Sequence, residues 1–121
     1  MEFDRIPGDT VTRFILSGSM ETGRFERFRF EAKDAVIPQS PHLMLDVSGV
    51  DFIDSCGIGT MIELFKHTKL HGGELIIAGM QEHLVKLFQM LKLDTFFTMV
   101  PDLSAGEALL AKIRRRDQGV S

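Results

Sequence analysis

Tryptophan and tyrosine are absent from this 121-residue chain, cysteine occurs once, and proline four times. A lone cysteine excludes an intramolecular disulfide and any zinc cluster built on several thiolates of this chain. A reducing compartment, the cytoplasm, is the expected home. No apolar run approaches the roughly 18 residues that a membrane span requires, so no membrane insertion is expected. The opening MEFDRIPGDT has neither a basic n-region nor an apolar h-region, so it does not read as a secretory signal. Basic excess is missing too. The formal net charge is -3, whereas phosphate contact needs a concentrated basic face, which argues against nucleic acid as a partner. The one dense basic run, Arg114-Arg115-Arg116, reads as a cationic cap on a final helix.

What is present is an ordinary globular composition, 44% hydrophobic and 26% charged, with the 10 phenylalanines supplying the bulk of the core. The length suggests a single domain over 1–121, able to bury roughly two thirds of its unfolded surface. Strands and helices alternate. MEFDRI and VTRFILSG read as two strands turned by Pro7-Gly8-Asp9. ETGRFERFRFEAKDAVI places Phe25, Phe28, Ala32, Ala35 and Val36 on one helical face and ends before Pro38 and Pro41. HLMLDVS is nearly continuous in apolar residues, as a central strand covered on both faces is. Ile58, Met61, Ile62 and Phe65 recur at helical spacing until Gly72-Gly73 stop them. ELIIAG is another buried strand. Leu84, Leu87, Phe88 and Leu91 mark a third helix, TFFTMV a last strand, and DLSAGEALLAKIRRR a final helix with Ser104 and Glu107 spaced as a capping box. The order predicts an α/β fold: a mixed sheet of about five strands with about four helices packed against it, joined by right-handed crossovers.

The chemistry concentrates at one corner. Asp54-Ser55-Cys56-Gly57 joins the central strand to the next helix. A helix start presents unpaired amides and the positive end of the dipole, so it stabilises an anion. Ser55 could cap the helix or receive a phosphoryl group, and either Asp54 or Ser55 could be the N-cap. Gly57 removes side-chain bulk and lets another surface approach the backbone. Cys56 reads as a small buried residue; its alternative is a redox-sensitive thiol at a helix start.

LMLDVSGVDFIDSCGIGTMIEL followed by GGELIIAG resembles the STAS domain family, whose small bacterial members are anti-sigma factor antagonists, or anti-anti-sigma factors. Asp46, Val47, Ser48, Val50, Phe52, Ile53, Asp54, Ser55, Gly57, Ile58 and Gly59 carry the likeness, which extends from about Val11 to Ile113. The resemblance implies a protein-binding module rather than an enzyme. No cofactor and no bound metal are expected. It would sequester an anti-sigma factor that is also a serine kinase of the GHKL type and so free a sigma factor. Phosphorylation by that kinase would separate the pair, and a PP2C-type phosphatase would reset it. The family motif carries two adjacent hydroxyl residues. Here the second is Cys56, which leaves Ser55 as the expected acceptor. Thr60, one turn on, is the weaker candidate and reads as an exposed helix residue. The expected partner-binding surface is Asp54, Ser55, Cys56 and Gly57 with Thr60, Glu63 and His67 on the exposed face of the helix. The alternative is a STAS protein that docks without phosphorylation, as a stress-signalling scaffold or a small cytosolic subunit of a lipid or anion transporter.

Other constellations are weaker. His67 and His71 share a helical face, yet no third ligand is apparent and the glutamate of the zinc proteases is missing between them. His42 and His83 show no partner pattern. Gly57-Ile58-Gly59 lacks the rest of a dinucleotide fingerprint or a phosphate loop. Ser55 lacks the G-x-S-x-G elbow of hydrolases. Met80 and Met90 could serve an adaptable interface rim.

Overall fold

A computed structural model describes residues 1–119; the last two positions of the single-domain span expected over 1–121 lie outside the described residues. Among the described residues the elements run β1 (Glu2–Pro7), β2 (Val11–Met20), α1 (Glu26–Ala35), β3 (His42–Ile53), α2 (Ser55–Leu70), β4 (Leu75–Ala78), α3 (Glu82–Met90), β5 (Thr98–Val100) and α4 (Leu103–Asp117). The sheet follows chain order, β1-β2-β3-β4-β5. β1 pairs antiparallel with β2, and β2 to β5 run parallel. This is the mixed five-strand, four-helix α/β arrangement that the alternation of elements predicts.

Side-chain alternation divides the core between the two faces of the sheet. On one face Phe14, Leu16, Leu43, Leu45, Val47, Leu75 and Ile77 meet Phe28 and Ala32 of α1, Met61 and Leu64 of α2, and Leu84 and Phe88 of α3. On the other, Val11, Met44 and Ile76 meet Leu110 and Ile113 of α4. Three parallel crossovers stepping the same way along the sheet put their helices on one face when each is right-handed. α4 returns on the far face, where Gly106 faces Met44 of β3 and Val100 of β5. A Cβ there would lie 2.6 Å from Met44 Sδ.

β3 outruns β4. Their pairing ends at Asp46–Ala78, while β3 continues to Ile53 paired with β2 as far as Met20. The strand therefore carries the Asp54 corner beyond the body of the sheet. Its uncovered edge is met by side chains from the start of α3. Gln81 Nε2 donates to Ser48 O at 3.0 Å, and His83 Nε2 lies 2.7 Å from Asp51 O.

Several boundaries differ from expectation. α1 begins at Glu26 rather than Glu21, because residues 21–24 form a turn closed by the Arg24 amide on Glu21 O and by the positive φ of Gly23. The third helix stops at Met90, with Leu91 its exposed C-cap. TFFTMV is strand only over Thr98–Val100, because Phe96 and Phe97 turn into an aromatic cluster with Phe65 and Phe88. α4 is not started by a Ser104–Glu107 box. Asp102 is the N-cap, accepting from the Ala105 amide at 2.8 Å, and Glu107 is drawn away to Arg13 of β2, whose Nε donates to it at 2.6 Å.

Candidate functional site

The corner is built around Asp54. Its backbone is extended, and its side chain is the N-cap of α2. Oδ1 accepts from the Gly57 amide at 2.9 Å. Oδ2 accepts from the Thr22 amide at 2.8 Å and the Thr22 hydroxyl at 3.0 Å. The Asp54 amide in turn donates to Met20 O at 3.0 Å. One carboxylate thus ties the start of α2 to the loop that follows β2. These donors, the Gly57 amide first and the Thr22 amide next, hold the Asp54 carboxyl below its ordinary range.

Because Asp54 does the capping, Ser55 is released from it. Ser55 is the first residue of α2 and is exposed. Cys56 is also exposed, which corrects the expectation of a small buried residue: at the second helical position its side chain points off the corner, not into the sheet. Gly57 is buried, and the surface it lets approach is internal. A Cβ there would meet Met20 O at 2.8 Å and Ile53 Cγ2 at 2.9 Å.

The structure also corrects the helical half of the expected surface. Thr60 is buried, at 6% exposure. Glu63 is half-buried and bound bidentately by Arg29 of α1, through Nε at 2.6 Å and Nη2 at 2.8 Å. That guanidinium, above all, holds the Glu63 carboxyl below its ordinary range. His67 Nε2 lies 3.1 Å from Lys33 O, also on α1. Thr60, Glu63 and His67 therefore share the face turned to α1. The face open to solvent beside Ser55 runs through Gly59, Lys66 and Leu70, which are exposed, with Ile62 half-buried among them. Nothing lies within 4 Å of a Cβ built on Gly59.

The histidines serve structure. The rings of His67 and His71 lie 4.5 Å apart, yet His71 Nδ1 is 2.9 Å from His67 O and His67 is turned to Lys33 O. Among the described residues no group of three or more His, Cys, Asp or Glu is placed to hold a metal ion. His42 is fully buried. Its Nδ1 accepts from the Glu74 amide at 3.0 Å, so the proton sits on Nε2, 2.7 Å from Asp117 Oδ2 of α4. Sequence reasoning missed this tether and the Thr22–Asp54 bond, since each joins residues far apart in the chain. Met90 is 80% exposed, whereas Met80 lines a shallow cavity of about 420 Å³ with Val85, Met99 and Pro101. Among the described residues no helix is long and apolar enough to cross a membrane.

Two curated relatives, the anti-sigma-B factor antagonists of Listeria monocytogenes and Listeria innocua, are each 27% identical over 61 residues, 50% of this chain and 49% of theirs. The match thus spans about half the length of those relatives. The fold is similar to that of an anti-sigma factor antagonist from Mycobacterium paratuberculosis, with a TM-score of 0.75 at 20% identity over 91% of this chain and 92% of that one. It is also similar to that of the Bacillus cell fate determinant SpoIIAA in its unphosphorylated form, with a TM-score of 0.70 at 16% identity over 93% and 98% of the two chains. SpoIIAA has been solved in a phosphorylated form as well, and that structure aligns with a TM-score of 0.68 at 16% identity over 89% and 99%. The STAS domain model matches residues 2–106, which is most of the chain and includes the whole sheet and the Asp54 corner, and this protein belongs to the STAS domain family.

Proposed function

We propose that this protein is an anti-sigma factor antagonist: a binding module that sequesters an anti-sigma factor and is switched off by phosphate on Ser55. The reading draws on the names of the Listeria relatives and on the existence of a phosphorylated form of SpoIIAA. The observation that carries it is local. Ser55 stands exposed at the head of α2 while Asp54 satisfies the cap, so the hydroxyl is free for chemistry.

The partner is a serine kinase of the GHKL type. Its ATP gives the γ-phosphoryl group to Ser55 Oγ, the hydroxyl proton leaves, and ADP departs. The product carries nearly two negative charges at neutral pH. In the free domain the open amides and dipole at the head of α2 accommodate that charge. In a closed interface an unpaired dianion costs about 2–5 kcal/mol, and each 1.4 kcal/mol is tenfold in affinity. Phosphate therefore separates the complex, and a PP2C-type phosphatase restores it.

The test is to incubate the protein and its Ser55→Ala variant with ATP and each GHKL-type kinase of the same genome. Fragmentation mass spectrometry then locates the phosphate. The reading predicts one phosphate, on Ser55, and none on Ser55→Ala. A stable complex with no transfer would refute the switch and leave a docking scaffold, for which Cys56 in place of the motif's second hydroxyl would then be the reason.

A further inference from the structure

The residue that frees Ser55 also grips a second piece of surface. The loop between β2 and α1, residues 21–24, is a tight turn. The Arg24 amide donates to Glu21 O at 2.9 Å, Gly23 has φ +84°, and Arg24 pairs with Glu21 at 3.1 Å. Thr22, Gly23 and Arg24 are exposed. Phe25, 3% exposed, anchors the far end of the loop. At the near end the fastening is the pair of bonds from Thr22 to Asp54 Oδ2.

We infer that phosphate on Ser55 loosens the 21–24 loop by displacing Asp54, so that the corner and the loop are switched together. This rests on the phosphorylation proposed above and deepens it. A phosphoryl group on Ser55 stands one residue from the Asp54 carboxylate. Both anions draw on the few open amides of the first turn, and the Gly57 amide is already taken by Asp54. Like charges that close disfavour each other. The dianion outcompetes a single carboxylate charge for the helix dipole. Oδ1 holds Gly57 and Oδ2 holds Thr22, so a carboxylate that turns as a unit off the first turn also carries Oδ2 from both Thr22 donors. The loop then keeps its internal Glu21–Arg24 turn and loses its attachment to the corner.

Amide order parameters of Thr22, Gly23 and Arg24 test this, in protein made with phosphoserine installed at position 55 during synthesis. The unmodified protein should give values near about 0.85, the rigid range, and the phosphoserine protein values below about 0.6. Leu43 and Gly79, bonded within the body of the sheet, should not change. Asp54→Ala should loosen the loop without phosphate, and phosphoserine in that background should add nothing. Asp54→Asn, which leaves too few acceptor oxygens for both Gly57 and Thr22, replaces it if Asp54→Ala does not fold. Unchanged loop order in the phosphoserine protein overturns the coupling, and so does uniform loosening of the whole domain. Since the phosphoserine is installed without a kinase, this outcome is separate from whether Ser55 is phosphorylated by a partner.

Discussion

Two glycines in the first turns of α2, two positions apart, should respond to alanine in opposite directions. At Gly57 an added Cβ would lie 2.8 Å from Met20 O, 2.9 Å from Ile53 Cγ2 and 3.1 Å from Met20 Cβ. The first contact is with a backbone oxygen, so relief requires the head of α2 to move off β2. At Gly59 the added Cβ meets nothing within 4 Å. In a helix either substitution gains about 0.5–1 kcal/mol from reduced unfolded-state freedom. That gain cancels in the comparison and leaves the steric term. Overpacking a close-fitted site costs about 1–3 kcal/mol. Gly59→Ala should therefore stabilise the domain by up to about 1 kcal/mol. Gly57→Ala should destabilise it by about 0.5–2 kcal/mol, the overpacking cost less the same gain. With a urea slope of about 1–3 kcal/mol/M, the two midpoints should stand on the order of 1 M apart. Equilibrium unfolding by urea, followed by circular dichroism at equal slopes, reads this directly. Equal midpoints, or a Gly57→Ala protein more stable than Gly59→Ala, would refute the close approach of α2 to β2 on which the placement of Ser55 depends.

Three further outcomes follow from the contacts. His42→Leu strands the half-buried Glu74 amide and removes one of the partners of Asp117, leaving it Arg116. It should cost about 1–3 kcal/mol in urea unfolding, and a change below about 0.5 kcal/mol would contradict the tether. Asp54, Glu63 and Glu107 are all held below their ordinary carboxyl values, 3.8 for Asp and 4.5 for Glu, chiefly by the Gly57 amide, Arg29 and Arg13 respectively. Depressed values favour the fold fully above the unfolded-state range and lose that support as pH falls through the folded-state values. Stability should therefore decline below about pH 4.5, and Glu63→Gln should show a shallower decline than the parent; parallel curves would remove Glu63 from the account. Arg29→Met alone should change stability only slightly, because the Arg29–Glu63 pair is more than a third exposed and screened. Its effect should shrink in 1 M salt, and salt independence would contradict an electrostatic origin.

The long, strongly patterned elements were legible in the sequence. HLMLDVS read as a doubly covered strand and lies at the centre of the sheet as β3. The apolar set Phe25, Phe28, Ala32, Ala35 and Val36 is the buried side of α1 and its end. The strand-to-helix corner and Asp54 as a possible cap followed from local chemistry. What could not be read was anything fixed by a distant residue. Thr22 reaches Asp54 across 32 positions, and Arg13 takes Glu107 across 94, which defeats the expected capping box. α2 shows the limit of periodicity. It carries apolar residues on both Met61–Leu64 and Ile58–Ile62–Phe65, so spacing alone does not say which arc faces the sheet. Buried Gly57, Thr60, Met61, Leu64 and Thr68 decide it. That choice turns Glu63 and His67 toward α1 and leaves Gly59, Lys66 and Leu70 facing solvent.

The proposed switch depends on the exposed hydroxyl that Asp54 leaves free at the head of α2. Its most direct test is the dissociation constant of the purified anti-sigma partner for the unmodified protein and for the protein carrying phosphoserine at position 55, measured by calorimetry. The unpaired charge should weaken binding by about thirtyfold to a few thousandfold, the equivalent of about 2–5 kcal/mol. Affinities within about threefold of each other, under half of one tenfold step of 1.4 kcal/mol, would contradict it.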